Sequence, residues 1–131
     1  MTKEILLVDD DAVTNFLNQI IIGATFPGIP IKLFYNGAKV MEYILENSDK
    51  YFLVFLDLNM PVMSGWEFLK AMETKKEGLH MEIHVLTSSI DPRDEQNAMN
   101  FPLVSSFMEK PLSESDLDEL LFKGIKKNPE A

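Results

Sequence analysis

The stretch Phe52-Leu53-Val54-Phe55-Leu56-Asp57-Leu58-Asn59-Met60-Pro61 decides the fold. Phe52 to Leu56 is apolar without alternation, so both faces of the segment must be buried, as in a central strand of a parallel sheet. The run delivers a single carboxylate, Asp57, and Pro61 closes it. Open α/β sheets keep their chemistry beyond the carboxyl ends of their strands, which is where Asp57 stands. Taken alone, an Asp at a strand end is equally a turn former or a helix cap.

The same punctuation recurs on either side. Ile5-Leu6-Leu7-Val8 is a short apolar run followed at once by Asp9, Asp10 and Asp11. Val13, Phe16, Leu17, Ile20 and Ala24 then recur at helical spacing, predicting a helix from about Ala12 whose polar face carries Thr14, Asn15, Asn18 and Gln19. Pro27 to Pro30 breaks the chain. Ile31 to Tyr35 reads as a strand toward a sheet edge, and Asn36 caps a helix with Val40, Met41, Ile44 and Leu45 as its buried stripe. Ser64 and Glu67 form a capping box for a helix carrying Phe68, Leu69 and Met72, which Gly78 stops. Ile83 to Thr87 is a fourth strand. Asp91-Pro92 opens a helix with a thin apolar stripe, Ala98 and Met99 alone. Leu103 to Met108 is a fifth strand, and Leu117, Leu120, Leu121 and Ile125 give a last helix its core stripe after a second box, Ser113 with Asp116. Five strands alternating with five helices mean βα units and a three-layer α/β architecture with a parallel sheet.

A chain of 131 residues, 46% hydrophobic and 25% charged, has the makings of one soluble domain over residues 1–131. No apolar run approaches the roughly 20 residues of a membrane span, and the N-terminus is too short and too soon acidic for a signal peptide. Cysteine is absent, which excludes disulfides, thiolate metal sites and cysteine nucleophiles. The chain reads as cytoplasmic. Its net charge of −9 repels phosphate backbones and argues against nucleic-acid binding. The cluster Lys123 to Lys127 complements the dipole of a last helical turn.

The polar groups at strand ends form a set. Asp9 and Asp10 follow the first strand, Asp57 the third, Thr87 ends the fourth and Lys110 follows the fifth, all at one edge of the sheet. Three converging carboxylates repel one another unless a cation joins them, and oxygen ligands without His or Cys suit Mg²⁺ or Mn²⁺. A divalent ion together with Lys110 neutralises the three acids.

In order and spacing, Asp9-Asp10, Leu56-Asp57-Leu58-Asn59-Met60-Pro61 with Gly65 beyond, Thr87 and Lys110-Pro111 resemble the response-regulator receiver domains of two-component signalling, from Ile5 to about Ile125. The resemblance implies a doubly wound, flavodoxin-like sheet of order 2-1-3-4-5, as in single-domain chemotaxis regulators. It implies that Asp57 accepts a phosphoryl group from a sensor histidine kinase or histidine phosphotransfer protein. Asp10 would bind Mg²⁺ directly, Asp9 mainly through metal-bound water, and Asn59 through its backbone carbonyl. Thr87 and Lys110 would contact phosphoryl oxygens, the Lys110-Pro111 peptide would be cis, and Phe107 would be the aromatic switch. An output partner would meet the face spanning residues 91–125. Such a domain phosphorylates and dephosphorylates its own Asp57 and is not a conventional turnover enzyme.

Three features depart from the family's habit. Pro102-Leu103 stand where a small Gly-Ala pair is common, His84 lies within a strand and reads as a satisfied or edge histidine, and Phe107 has no phenol. Trp66 reads as ordinary packing near the site. The rival readings are a degenerate receiver acting only in protein interaction, and a phosphatase of the haloacid dehalogenase type. The phosphatase needs an Asp two residues after its nucleophile, where this chain has Asn59; the complete acid, hydroxyl and lysine set argues against degeneracy. Met1 and the lack of a linker or further domain after Ile125 suggest a stand-alone receiver, the alternative being a receiver cut from a hybrid kinase.

Overall fold

The computed structural model describes residues 1–89 and 91–127; the last four positions of the expected domain lie outside the described residues. The chain alternates β1 (Lys3–Val8), α1 (Ala12–Thr25), β2 (Ile31–Phe34), α2 (Gly37–Glu46), β3 (Tyr51–Leu56), α3 (Gly65–Lys75), β4 (His80–Thr87), α4 (Pro92–Met99), β5 (Val104–Glu109) and α5 (Glu114–Glu119). The strands form one parallel sheet in the order β2-β1-β3-β4-β5. No helix among the described residues is long and apolar enough to cross a membrane.

Why β3 lacks alternation is visible in the two cores. Phe52, Val54 and Leu56 pack with Val40 and Ile44 of α2, Phe68, Leu69 and Met72 of α3, and Ala98 of α4. Leu53 and Phe55 pack on the opposite face with Ile22 of α1 and Leu117 of α5. Apolar residues on both faces of the central strand are what a three-layer fold requires. The helix starts follow their caps. The Asn36 side chain accepts from Lys39 N, Asp91 precedes Pro92 at the first helical position, and both arms of the Ser64/Glu67 and Ser113/Asp116 boxes are formed.

Leu45 of α2 and Met99 of α4, expected in apolar stripes, are exposed, and two other helices differ from expectation more broadly. In α1 the face read as polar is turned inward: Asn15, Asn18, Ile22 and Thr25 are buried, whereas Val13, Phe16, Leu17 and Ile20 are each more than half exposed. The backbone explains the inversion. Asn15 Nδ2 donates at 3.0 Å to the buried carbonyl of Asp9, just past the end of β1, and to that of Phe34, which also accepts from Asp9 N at 3.0 Å. A buried carbonyl without a donor costs about 1–3 kcal/mol, so the asparagine takes the inner position and the aliphatic stripe faces out.

The last helix is the second correction. The pattern through Ile125 predicts three turns or more, but α5 stops at Glu119 and Leu121 is 88% exposed. Residues 120–127 instead fold back across the sheet. Lys123 N and Gly124 N donate at 3.0–3.1 Å to the Glu82 carboxylate, so they are not available to helical carbonyls. Lys127 Nζ returns to donate to the carbonyls of Leu117, Asp118 and Leu120, capping the helix it has cut short. Gly124 is required here, since a Cβ would stand 2.2 Å from the Tyr51 ring.

Glu82 is itself buried on β4 and also accepts from the Tyr51 hydroxyl at 3.1 Å and pairs with His84 Nε2 at 3.0 Å. The second ring nitrogen of His84 meets Ser106 Oγ at 2.6 Å, and its ring stacks on Phe55. His84 is thus the satisfied histidine the sequence suggested. The buried carboxylate stays charged because donors surround it: burial alone would raise it, but His84 and the two backbone N–H groups bring it below its ordinary value.

Candidate functional site

The carboxyl ends of β1 and β3 are adjacent in the sheet, and Asp57 N donates to Val8 O at 2.9 Å. That pairing sets Asp57 beside Asp9, and both are buried. One carboxylate oxygen from each of Asp9, Asp10 and Asp57 lies within 4.8 Å of the others, with Asp10 exposed and its two partners buried. Asp9 Oδ1 accepts from Asp11 N at 2.9 Å, and Asp11 caps α1 by accepting from Val13 N and the Thr14 hydroxyl. Asp11 is thus the N-cap of α1.

Lys110 reaches this acidic group from the loop after β5. Its Nζ contacts Asp9 Oδ2 and lies 3.2 Å from Asp57 Oδ2. Burial lowers the lysine's proton affinity, but hydrogen bonds and attraction from Asp9 and Asp57 outweigh it and hold the ammonium above its ordinary range. Burial pushes the Asp57 carboxyl up, Lys110 pulls it back, and Asp9 adds to the rise. The Lys110-Pro111 peptide is cis.

Thr87 is fully buried at the end of β4, and its carbonyl accepts from Lys110 N at 2.8 Å, tying the hydroxyl-bearing and lysine-bearing loops together. Asn59 is exposed and bonds Asp57 Oδ1 through its backbone N–H at 3.3 Å. Gly65 explains the close seating of α3. A Cβ there would lie 2.4 Å from the Asp57 carbonyl oxygen and 2.6 Å from Leu58 Cα. The loop between them carries Val62 at φ 71°, a left-handed conformation costly for a β-branched residue.

The structure thus brings Asp9, Asp10, Asp57 and Lys110 into one cluster, with Thr87 joined to it through the backbone of Lys110. Phe107 is not in the cluster; it is half-buried on β5 against the α2–α4 core. Trp66 packs on the same core near Phe101, as ordinary packing. Two contributors escaped the sequence reading. Asn15 fixes the Asp9 backbone, as described above. Ser89 links the site to α4: its N–H donates to Thr87 Oγ1 at 3.3 Å, and its hydroxyl donates to Asp94 in the first turn of α4. Its position two residues beyond a strand-end hydroxyl was the only signal.

Three acids with oxygen donors alone, held against a single lysine, fit a hard divalent cation. Among curated relatives, hybrid signal transduction histidine kinase B of Dictyostelium discoideum is 29% identical over an alignment of 139 positions that spans 96% of this chain but 7% of that much longer protein. Two-component response regulator 24 of Arabidopsis thaliana is 27% identical over 118 residues, 90% of this chain and 81% of that protein. Among solved structures, a two-component response regulator from Cytophaga hutchinsonii superposes with a TM-score of 0.77 at 29% identity, covering 89% of this chain and 92% of that one. A CheY-like receiver domain protein from Methanospirillum hungatei JF-1 shares the fold at a TM-score of 0.71 and 24% identity over 91% and 90% of the two chains. Residues 5–122 match the family described as the response regulator receiver domain, and with the strand order and the acidic cluster on the page, the chain belongs to that family.

Proposed function

We propose that Asp57 is the phosphoacceptor of this receiver, taking a phosphoryl group from a phosphohistidine on a sensor histidine kinase or histidine phosphotransfer protein. The observation that carries the reading is the buried Asp57 carboxylate set between Asp9 and the Lys110 ammonium, with Asp10 open to solvent beside them. An Asp57 oxygen attacks phosphorus as the P–N bond to the donor imidazole breaks, and the bonding electron pair leaves on the imidazole nitrogen. Asp9, Asp10, Asp57 and the Asn59 carbonyl are the groups that would hold Mg²⁺, or Mn²⁺. Bound there, the ion supplies charge neutralisation for the transferring oxygens. Lys110 exchanges its contact with the Asp57 carboxylate for one with a phosphoryl oxygen, and the Thr87 hydroxyl turns to donate to another.

The transferred group carries about −1.5 to −2 charges at neutral pH, which draws Thr87 and Lys110 inward. Thr87 then ceases to accept from Ser89 N, and Ser89 in turn holds Asp94 on α4. This chain of hydrogen bonds supports output through residues 91–125, with Phe107 repacking as the aromatic element. α4 buries only Ala98, so few buried side chains oppose such a pull. The cycle is stoichiometric self-phosphorylation and hydrolysis by one cytoplasmic receiver domain, rather than turnover of a free substrate.

The donor's approach is supported by α1. This helix contains no charged residue, exposes Val13, Phe16, Leu17 and Ile20, and borders a cavity of about 350 Å³ lined by Leu17, Ile20, Ile21, Lys110 and Pro111. A partner resting there packs on uncharged surface beside Lys110, at the mouth of the acidic cluster. The test is intact mass after incubation with acetyl phosphate and Mg²⁺. The wild type gains one phosphoryl group and Asp57→Asn gains none; a wild type that stays unmodified refutes the assignment.

A further inference from the structure

The outer side of β5 has the opposite character to α1. β5 is an edge strand that, among the described residues, pairs only with β4, which leaves the other side of its backbone ladder without a strand partner there. Two grooves run along it and share Phe107 and Glu109. The first, about 210 Å³, is lined by Ser89, Asp91, Pro92 and Glu95 with that shared pair. The second, about 510 Å³, adds Met108, Asp116, Glu119 and Leu120. Phe107 and Leu120 are half-buried and Met108 is buried, so the floor is apolar while the walls are acidic.

The charges on these walls are not balanced locally. Asp91 is paired with Arg93 at 2.8 Å. Lys110 also borders the second groove, but its ammonium is turned to Asp9 and Asp57. That leaves Glu95, Glu109, Asp116 and Glu119 facing the grooves with no basic side chain among the described lining residues to meet them. A second copy of this chain would bring the same acids against them across a two-fold axis, and like charges opposed in an interface disfavour that pairing. Nucleic acid is repelled for the same reason. Charge complementarity leaves a basic protein segment.

We propose that the paired grooves on β5 dock a Lys/Arg-bearing segment of the output partner, with one large apolar side chain over Phe107 and basic residues reaching Glu95 and Glu109 on one side and Asp116 and Glu119 on the other. The proposal gives the chemistry of the partner for the output face and, in its phosphorylation dependence, rests on the receiver reading above. The gate is the Thr87–Ser89–Asp94 chain, because Ser89 lines the first groove and its hydroxyl tethers α4. When Thr87 turns to the phosphoryl group, the wall formed by Ser89, Asp91 and Glu95 shifts relative to Phe107.

The experiment uses the full chain and two fluorescein-labelled probe peptides, one of repeating Lys-Lys-Leu and one of repeating Glu-Glu-Leu, read by fluorescence anisotropy. Three proteins are compared: wild type, the groove variant Glu95→Lys/Glu109→Lys/Glu119→Lys, and a control with the same charge change on and after α2, Glu42→Lys/Glu46→Lys/Asp49→Lys. All six positions are exposed, so the variants fold, which thermal melts verify. The basic peptide binds wild type and the α2 variant comparably, and loses about tenfold or more on the groove variant, as expected for removing several complementary charges. Beryllofluoride with Mg²⁺ changes its affinity for wild type but not for Asp57→Asn. Equal losses on both triple variants mean attraction to net charge alone and overturn the proposal, as does equal binding of the acidic peptide. Intact mass with acetyl phosphate separates the two readings. If the mass rises and the groove variant binds as wild type does, docking fails and the receiver assignment stands. If the mass does not rise and binding maps to the grooves, the assignment of Asp57 fails and the docking surface stands.

Discussion

Gly65 and Asp57 illustrate how much of this site depends on backbone spacing. Asp57 must present its carboxylate beside Asp9 while its own carbonyl passes under the first turn of α3, and a Cβ at position 65 would stand 2.4 Å from that oxygen. The neighbour is backbone, so it cannot swing aside as a side chain could. Gly65→Ala therefore displaces either α3 or the Asp57–Leu58 peptide. The expected cost is about 1–3 kcal/mol, in the range of overpacking substitutions, seen as a lower urea midpoint with unchanged m-value. Phosphorylation by acetyl phosphate slows as well, since Asp57 moves relative to Lys110. An alanine variant with wild-type stability and rate would show that the loop through Val62 absorbs the methyl group. The polar residues of the cluster were legible in the sequence because each one ends or follows an apolar run, and the ends of parallel strands meet at one edge. Asn15 and Ser89 were not, since Asn15 serves two backbone carbonyls and Ser89 bridges the Thr87 hydroxyl and the Asp94 carboxylate, groups whose positions only the folded chain defines.

At the scale of elements, helical periodicity was legible and its phase was not. The recurrence of Val13, Phe16, Leu17 and Ile20 announced α1 correctly, yet the face chosen for burial was the one with a donor for the Asp9 and Phe34 carbonyls. The stripe at Leu117, Leu120, Leu121 and Ile125 announced a helix longer than six residues. What shortened it is a carboxylate about 40 positions earlier in the chain, Glu82, which takes two amides from the segment. No local pattern carries that information. The structure makes Glu82→Gln a test of the strap. Replacing the carboxylate weakens its bonds to His84, Tyr51 and the amides of Lys123 and Gly124, for a loss of about 2 kcal/mol at neutral pH. The sign with pH follows from the depressed folded value. The contribution of Glu82 is fully present above its unfolded value near 4.5 and is lost as pH falls through the folded value. Urea melts of wild type and variant should therefore lie furthest apart at neutral pH and draw together as pH falls below 4.5 and on through the depressed folded value. A gap that stays constant into acid would mean that the variant acts by packing, not by charge. Amide exchange at Leu121 to Gly124 should rise in the variant, reporting release of the strap.

For the molecule as a whole, charge and apolar surface are segregated around the phosphoryl-accepting edge. α1 is free of charged residues over 14 positions although the chain carries a net −9, while the β5 grooves have acids without local counter-charges. Donor and output partner can therefore be recognised by different physics: apolar burial on one side of Lys110, electrostatics on the other. Phe16→Asp places one charge in the middle of the α1 face. Because Phe16 is mostly exposed, the substitution should change stability by less than about 0.5 kcal/mol. It should leave phosphorylation by acetyl phosphate intact, since that small donor needs only the cluster. Transfer from a phosphohistidine protein that modifies the wild type should fall about tenfold or more, because burying an unpaired carboxylate against an apolar partner costs more than 1.4 kcal/mol. The loss should appear at subsaturating donor and shrink at high donor concentration, the mark of weakened docking with unimpaired chemistry. Equal losses with acetyl phosphate and with the protein donor would place the defect in the acidic cluster, whereas unchanged transfer from the protein donor would move the docking face away from α1.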